Sequence, residues 1–209
     1  MAEDLSAGEP LFVFKSNNLR DVLLYMNAHS QNYVADGVGA LVGGPEGVRR
    51  FLIEEVGISA DQVWLEACSG LGRNRMTPRG IVTVLRALME ELNRQDLKPE
   101  DLMPIATADW GTLRHRLAGT GLEYAVVGKT GTLTTIDGGM ACLAGYVYTK
   151  NEGTIVFAIL DHGNNVWSNR QMEDQLLSEV INRSSSPQII SGPTPRSLLP
   201  SAGLSIATE

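Results

Sequence analysis

The chain is short of lysine, of cysteine, of long apolar runs and of histidine in any ligand spacing, and each shortage removes a class of function. Its four lysines, Lys15, Lys98, Lys129 and Lys150, are scattered, and the net charge is -7 with a pI near 5.0. Nucleic-acid binding needs clustered basic side chains to displace phosphate counterions, so no nucleic acid is expected as a partner. Cys68 and Cys142 stand far apart, outside any Cys-x-x-Cys or Cys/His spacing, and are read as buried packing residues rather than a metal site or a disulfide framework. His29, His115 and His162 show no ligand pattern either, so each is read as a surface or satisfied polar residue, and no metal or other cofactor is implied. No run of about 18 apolar residues occurs, so no transmembrane segment is expected. Met1 to Pro10 is acidic and lacks the basic-then-apolar layout of a signal peptide, so the sequence is read as carrying no export signal.

What is present is a chain of 209 residues, 43% hydrophobic, long enough to bury a core of its own. Leu19, Val22, Leu23 and Met26 recur at helical spacing, and Tyr33, Val34, Val38, Leu41 and Val42 continue it until Gly43-Gly44. Asn27 to Asn32 is therefore a helix junction. Pro45 opens a third helix with an apolar face of Val48, Phe51, Leu52 and Val56, ended by Gly57. Thr77-Pro78 caps a fourth, whose core-facing stripe is Ile81, Val84, Leu85, Leu88 and Leu92. After Thr120 the period changes, and Tyr124 to Val127, Cys142 to Tyr148 and Thr154 to Leu160 read as strands, the last two joined by a tight turn at Lys150 to Gly153. Ser168 and Gln171 form a capping-box pattern, with Trp167 and Met172 placed as a hydrophobic staple, and start a closing helix that runs to about Ile181. From Arg183 to Glu209 the chain is rich in Ser and Pro and is read as a disordered tail. The layout is α+β, an antiparallel sheet packed with helices.

Chemistry concentrates in three places. Lys129-Thr130-Gly131-Thr132 puts an ammonium and a hydroxyl beside a cleft, where the glycine lets a substrate backbone lie close against a strand. Ser30-Gln31-Asn32 at the helix junction supplies a hydroxyl for proton transfer and a carboxamide for a peptide group. Ser16-Asn17-Asn18 fits the same Ser-x-Asn pattern, and would equally serve as a plain helix cap. A Gly-rich loop, Ser69-Gly70-Leu71-Gly72, introduces the Pro-opened fourth helix.

In this order the pieces resemble the low-molecular-mass penicillin-binding proteins of peptidase family S13, the D-alanyl-D-alanine carboxypeptidases and endopeptidases. The resemblance runs from about Leu19 to Ile181. It is carried by Met26-Asn27-Ala28-His29-Ser30-Gln31-Asn32 with Ala35 and Gly43-Gly44, by Ser69-Gly70-Leu71, and by Gly111-Thr112-Leu113-Arg114-His115-Arg116-Leu117. Lys129 to Leu133 and Leu143-Ala144-Gly145-Tyr146-Val147 complete it. That context selects Ser30 and Asn32 over the Ser16 triplet, and it fits a carboxypeptidase better than a β-lactamase.

The resemblance implies the penicillin-binding, β-lactamase-like transpeptidase fold, action on peptidoglycan stem peptides, reaction with β-lactams in the complete enzyme, and an extracytoplasmic, periplasmic location. It implies that Ser30 relays protons, Asn32 holds the substrate amide, Lys129 and Thr130 bind the terminal carboxylate, and Gly131 leaves room for the substrate. The backbone N–H of Thr132 would supply half of an oxyanion hole. The family also needs a Ser-x-x-Lys whose serine attacks the peptide carbonyl, but Phe12, Gln95, Val126 and Val147 stand three residues before the four lysines. The chain is accordingly expected to be a C-terminal portion without the N-terminal strands and the Ser-x-x-Lys helix. Residues 1–18 are then a remnant, 19–182 part of the peptidase domain, and 183–209 the tail. Losing the nucleophile from such a catalytic unit costs about six orders of magnitude in rate, so the chain alone is expected to be inactive. The alternative is a non-catalytic fragment that binds stem peptide or complements a separately encoded N-terminal half. Two further expectations follow: the strand Thr154 to Leu160 lacks a neighbour, and Gly37 and Gly39 weaken the second helix as marks of relaxed selection.

Overall fold

Asn18 starts the first helix by accepting the Asp21 amide at 2.9 Å, which satisfies one of the donors a helix start leaves unpaired. In the computed structural model, which describes residues 12–192, 196 and 203–206, a short strand β1 (Phe12–Lys15) leads into α1 (Leu19–His29), α2 (Asn32–Leu41) and α3 (Gly44–Glu54). Pro45 lies in the first turn of α3 as its ring geometry favours. Strands β2 (Val63–Trp64) and β3 (Arg75–Met76) pair antiparallel and close the Gly-rich loop at its base. Thr77 then caps α4 (Pro78–Arg94) by accepting the Gly80 amide at 3.0 Å. No helix among the described residues is long and apolar enough to cross a membrane.

Of the two glycines of α2, Gly39 differs from expectation. Gly37 has open space around it, but a Cβ on Gly39 would overlap the Cys68 side chain. Gly39 is therefore the point where α2 presses against the Gly-rich loop, and relaxed selection is not its explanation. Asp36 fastens the same contact by accepting the Ser69 amide at 2.8 Å.

The sheet is an antiparallel meander of β4 (Val126–Leu133), β5 (Met140–Tyr148) and β6 (Thr154–His162), in the order β4-β5-β6. Side chains alternate across it as a strand's period of two requires. Leu143 and Val147 of β5 pack on Leu177 and Ile181 of α5 (Val166–Ser184), while Tyr146 turns to the other face against Leu85 of α4, donating its hydroxyl to the Leu85 carbonyl at 2.6 Å. Val84 of α4 meanwhile joins Leu52, Ile58 and Val63, so one helix links the sheet to the helical layer. β6 pairs only with β5 among the described residues.

Three sequence-based boundaries move. The strand read as ending at Val127 continues through Lys129 to Leu133, and Tyr124 lies outside it at φ 61°. The closing helix starts earlier than the Ser168 box suggested, because Asn165 is the cap, accepting the Ser168 amide at 3.1 Å, and buried Val166 anchors its first turn. Trp167 and Met172 are 70% and 50% exposed, so they form no staple. The segment read as a disordered tail carries structure where it is described. α5 runs to Ser184, Gln188 and Ile190 donate their amides to the Tyr148 and Tyr124 carbonyls at 2.8 and 2.9 Å, and β7 (Gly203–Ile206) pairs with β1. Backbone pairing holds these residues, a source of order to which apolar periodicity is blind. Cys68 and Cys142 are free and only partly buried, not fully buried as their sequence context suggested.

Between α4 and β4, residues 103–125 form almost no regular element and yet contain Ile105, Ala106, Leu113, Leu117 and Leu122, all buried. Burial is possible because the backbone polar groups find partners on β4. Ala106 donates to the Val126 carbonyl at 2.8 Å, and Gly128 donates to the Pro104 carbonyl at 3.1 Å.

Candidate functional site

That pairing covers the outer edge of β4 only as far as Gly128. Because Val126 and Gly128 direct their backbone groups outward, strand alternation turns the N–H and C=O of Thr130 and Thr132 outward as well. From Lys129 to Leu133 this edge faces no strand among the described residues. Thr130 is buried and Thr132 exposed, while Gly131 lies opposite Cys142, whose side chain would touch a Cβ placed there.

Lys129 reaches off this strand to Ser30. Its Nζ donates to Ser30 Oγ at 2.9 Å and to the Thr130 carbonyl at 2.6 Å, and none of the described ion pairs includes it. Burial without a counter-charge disfavours the ammonium and lowers Lys129 to about 8. The amine therefore stays largely cationic at neutral pH while lying close enough to neutrality to exchange a proton with the hydroxyl.

Ser30 occupies the corner between α1 and α2 in the left-handed conformation, φ 53° and ψ 53°, with its N–H bonded to the Met26 carbonyl. The last turn of α1 is gripped from outside. Thr112 donates its amide to the Ala28 carbonyl at 2.8 Å, Asn27 Nδ2 donates to the Leu102 carbonyl at 2.8 Å, and Gly111, at φ 121°, lies so close to Ala28 that a Cβ there would collide with it.

The structure thus brings together Ser30 and Lys129, which belong to different motifs, and lays Thr130, Gly131 and Thr132 along the adjoining strand. Asn32 opens α2 just beyond the corner, and its side-chain amide is left out of the hydrogen bonds among the described residues. Asn18 of the rival triplet only caps α1. His115 and His162 are exposed, and His29 packs against the Tyr25 ring at 4.5 Å. Among the described residues no group of acidic, histidine and cysteine side chains is arranged to hold a metal ion.

Sequence reasoning overlooked a buried ionic cluster behind the site. Arg116 is 4% exposed and donates to Glu173 Oε2 at 2.7 Å, to both Asp174 oxygens at 2.9 and 3.0 Å, and to the Arg170 carbonyl at 3.1 Å. Burial pushes the Glu173 carboxyl up, against the pull of Arg116. A signal existed in the sequence, since Glu173 shares the helical stripe of Leu177 and Ile181, where a charge must have a partner. A second latch joins Arg196 to fully buried Asp109, with the guanidinium also donating to the Glu100 carbonyl at 2.6 Å.

The model of the D-Ala-D-Ala carboxypeptidase 3 (S13) family matches residues 1–180. Among solved structures, the chain is similar to Bd3459, described as a predatory peptidoglycan endopeptidase from Bdellovibrio bacteriovorus, at 26% identity over 94% of this chain and 51% of that one, TM-score 0.79. It is similar to penicillin G-acylated Bd3459 in complex with the immunity protein Bd3460, at 26% identity over 94% and 54% of the two chains, TM-score 0.81. Bd0816, a predatory endopeptidase from the same organism in complex with Bd3460, is 25% identical over 98% and 55%, TM-score 0.80. The chain therefore spans about half the length of the solved structures it matches. No curated protein matches the sequence.

Proposed function

Because the chain belongs to the D-Ala-D-Ala carboxypeptidase 3 (S13) family, we propose that residues 19–182 form the substrate-binding wall of a serine-type D-Ala-D-Ala peptidase acting on peptidoglycan stem peptides outside the cytoplasmic membrane. The observation that carries this reading is the 2.9 Å contact between Lys129 Nζ and Ser30 Oγ, which joins two motifs 99 residues apart. In this reading an extended stem peptide adds along the open edge of β4, where main-chain bonds give affinity. Lys129, with no acidic partner, takes the terminal carboxylate, helped by Thr130. Gly131 leaves room for the peptide backbone, the outward Thr132 N–H faces the developing oxyanion, and Ser30 passes a proton to or from Lys129. Asn32, its side-chain amide unbonded among the described residues, is available to the substrate amide.

The sequence contains no Ser-x-x-Lys, and this favours a second reading for the chain by itself, as a stem-peptide-binding or complementing fragment that does not acylate. One experiment addresses both. The chain is incubated with a reactive β-lactam and weighed intact, and its binding of a D-Ala-D-Ala peptide is measured by calorimetry with Lys129→Met as control. Unchanged mass with saturable, Lys129-dependent binding is the expected result. A stoichiometric adduct would overturn the absence of acylation, and absence of binding would overturn the assignment of the wall.

A further inference from the structure

We infer that Arg116, anchored on Asp174 and Glu173 of α5, is a positioning residue for the Ser30–Lys129 pair, acting through Gly111 and Thr112 on the last turn of α1. The inference deepens the proposed function and rests on it for the meaning of the pair, but its geometry stands independently.

A helix leaves its last carbonyls without intrahelical donors. In α1 the Met26 carbonyl is taken by the turn itself, from Ser30 and Gln31, whereas the Ala28 carbonyl is taken from outside by the Thr112 amide. Ser30 follows Ala28 by two residues, so the direction in which the chain leaves α1, and with it Oγ, is set by where Thr112 stands. Gly111 adds a steric stop, since its backbone lies against Ala28 where no side chain fits.

The turn carrying Gly111 and Thr112 has little regular structure to fix it. It is fixed by fully buried Leu113, by Arg116, whose side-chain bonds all run to α5, and by Leu117, whose amide donates to Asp174 Oδ2 at 3.1 Å. Arg114 ties the same turn back on itself through the Thr107 and Ala108 carbonyls at 3.1 and 2.9 Å. α5 is also the helix on which β5 packs, and β5 pairs directly with β4. Lys129 and Ser30 are therefore both referenced to α5, one through the sheet and the other through Arg116. Without that second path Ser30 would be held only through the Asn27 bond to the Leu102 carbonyl and by a helical layer whose buried cluster around α1 is Leu24 and Ala28.

The reporter is Lys129 itself. With four lysines in the chain, selective 13C labelling of lysine side chains gives a spectrum in which Lys129 is assigned by its loss in Lys129→Met. Asp174→Asn, which keeps the shape but weakens the anchor, and Gly111→Ala, which displaces the turn without touching the ion pair, are expected to move the Lys129 titration up from about 8 toward the ordinary lysine range. The sign follows from burial: a lysine that loses its enclosure regains its ammonium more easily. Asp174→Glu should restore the low midpoint. A purely structural role would lower stability and leave the midpoint of the folded protein in place, so a folded Asp174→Asn or Gly111→Ala chain titrating like the unaltered one would overturn the inference.

Amide hydrogen exchange in the unaltered chain keeps the test decisive if the variants fail to fold. The Thr112 amide is expected to be as protected as those of α5 and β5; exchange at the rate of α2 and α3 amides would overturn the inference. Neither readout needs substrate, so failure of stem-peptide binding would sink the proposed function and leave this inference intact.

Discussion

Around the sheet, Leu113, Leu117, Leu122, Val126, Leu143 and Val147 are fully buried, whereas in α2 and α3 Tyr33, Leu41 and Phe51 remain 90%, 84% and 56% exposed. The sheet body is built as a protein core is built, with both faces of β5 covered and its irregular segment tied down by main-chain bonds. The helical layer has small clusters and an open groove between the end of α2 and α3, lined by Val42, Val48 and Phe51 together with the charged Arg50, Glu54 and Glu55. The site takes Lys129 from the first region and Ser30 from the second. A well-packed body can hold one reactive group rigidly, but the other needs a brace across the boundary, and the contacts of Gly111, Thr112 and Asn27 with α1 and with Leu102 are that brace.

The largest effect is expected at Arg116. Arg116→Ala would leave Glu173 buried without its cation, and removing one member of such a pair typically costs about 3–5 kcal/mol; urea denaturation should show that loss and a shared collapse of both regions. A loss under about 1 kcal/mol would mean that water already solvates the cluster. Next in size is a contrast inside α2. Gly39→Ala forces a methyl into Cys68 and should cost about 1–3 kcal/mol, while Gly37→Ala, in open space, should stabilise the helix by up to about 1 kcal/mol. Equal effects at the two positions, read from the same melts, would remove the claim that α2 is seated on the Gly-rich loop. The smallest effect is expected at Leu41, where Leu41→Ala should stay within about 0.5 kcal/mol because the side chain is already in water. A loss as large as that of a core leucine would show that the helical layer is covered in solution.

Much of the fold could be read from the residues where periodicity and burial agree: α4 buries Leu85 and Leu92 of its apolar stripe, and β5 and β6 carry β-branched and aromatic runs. In α1 to α3 periodicity gave the helices but not the burial, since Leu19, Tyr33, Leu41, Val42 and Phe51 of the expected stripes are exposed. Elsewhere order has sources that side-chain periodicity does not carry. Residues 104–106 are held by backbone bonds to β4 and much of 107–125 by backbone bonds within the segment, which no side-chain pattern encodes, and Ser186, Gln188 and Ile190 are held by backbone bonds to Lys150, Tyr148 and Tyr124. The start of α5 was misplaced because two plausible caps, Asn165 and Ser168, lie within one turn, and only the burial of Val166 decides between them. In the candidate site, motif context singles out Ser30 and Lys129 as expectations, whereas the 2.9 Å bond between them follows no local rule, since 99 residues separate them. Arg116 was visible as part of a motif, but its partners on α5 lie 57 and 58 residues further along the chain.

The span between Ser30 and Lys129 also sets an order of events. The meander of β4, β5 and β6 closes through short turns, and such local pairings form early because little chain entropy is lost in making them. Joining Ser30 to Lys129 closes a far longer loop. Each doubling of loop length adds only about 0.6 kcal/mol, so the delay is topological rather than a large equilibrium penalty. The Ser30–Lys129 contact is thus expected to form late in folding, after the sheet that carries the lysine, and to mark the docking of the two regions.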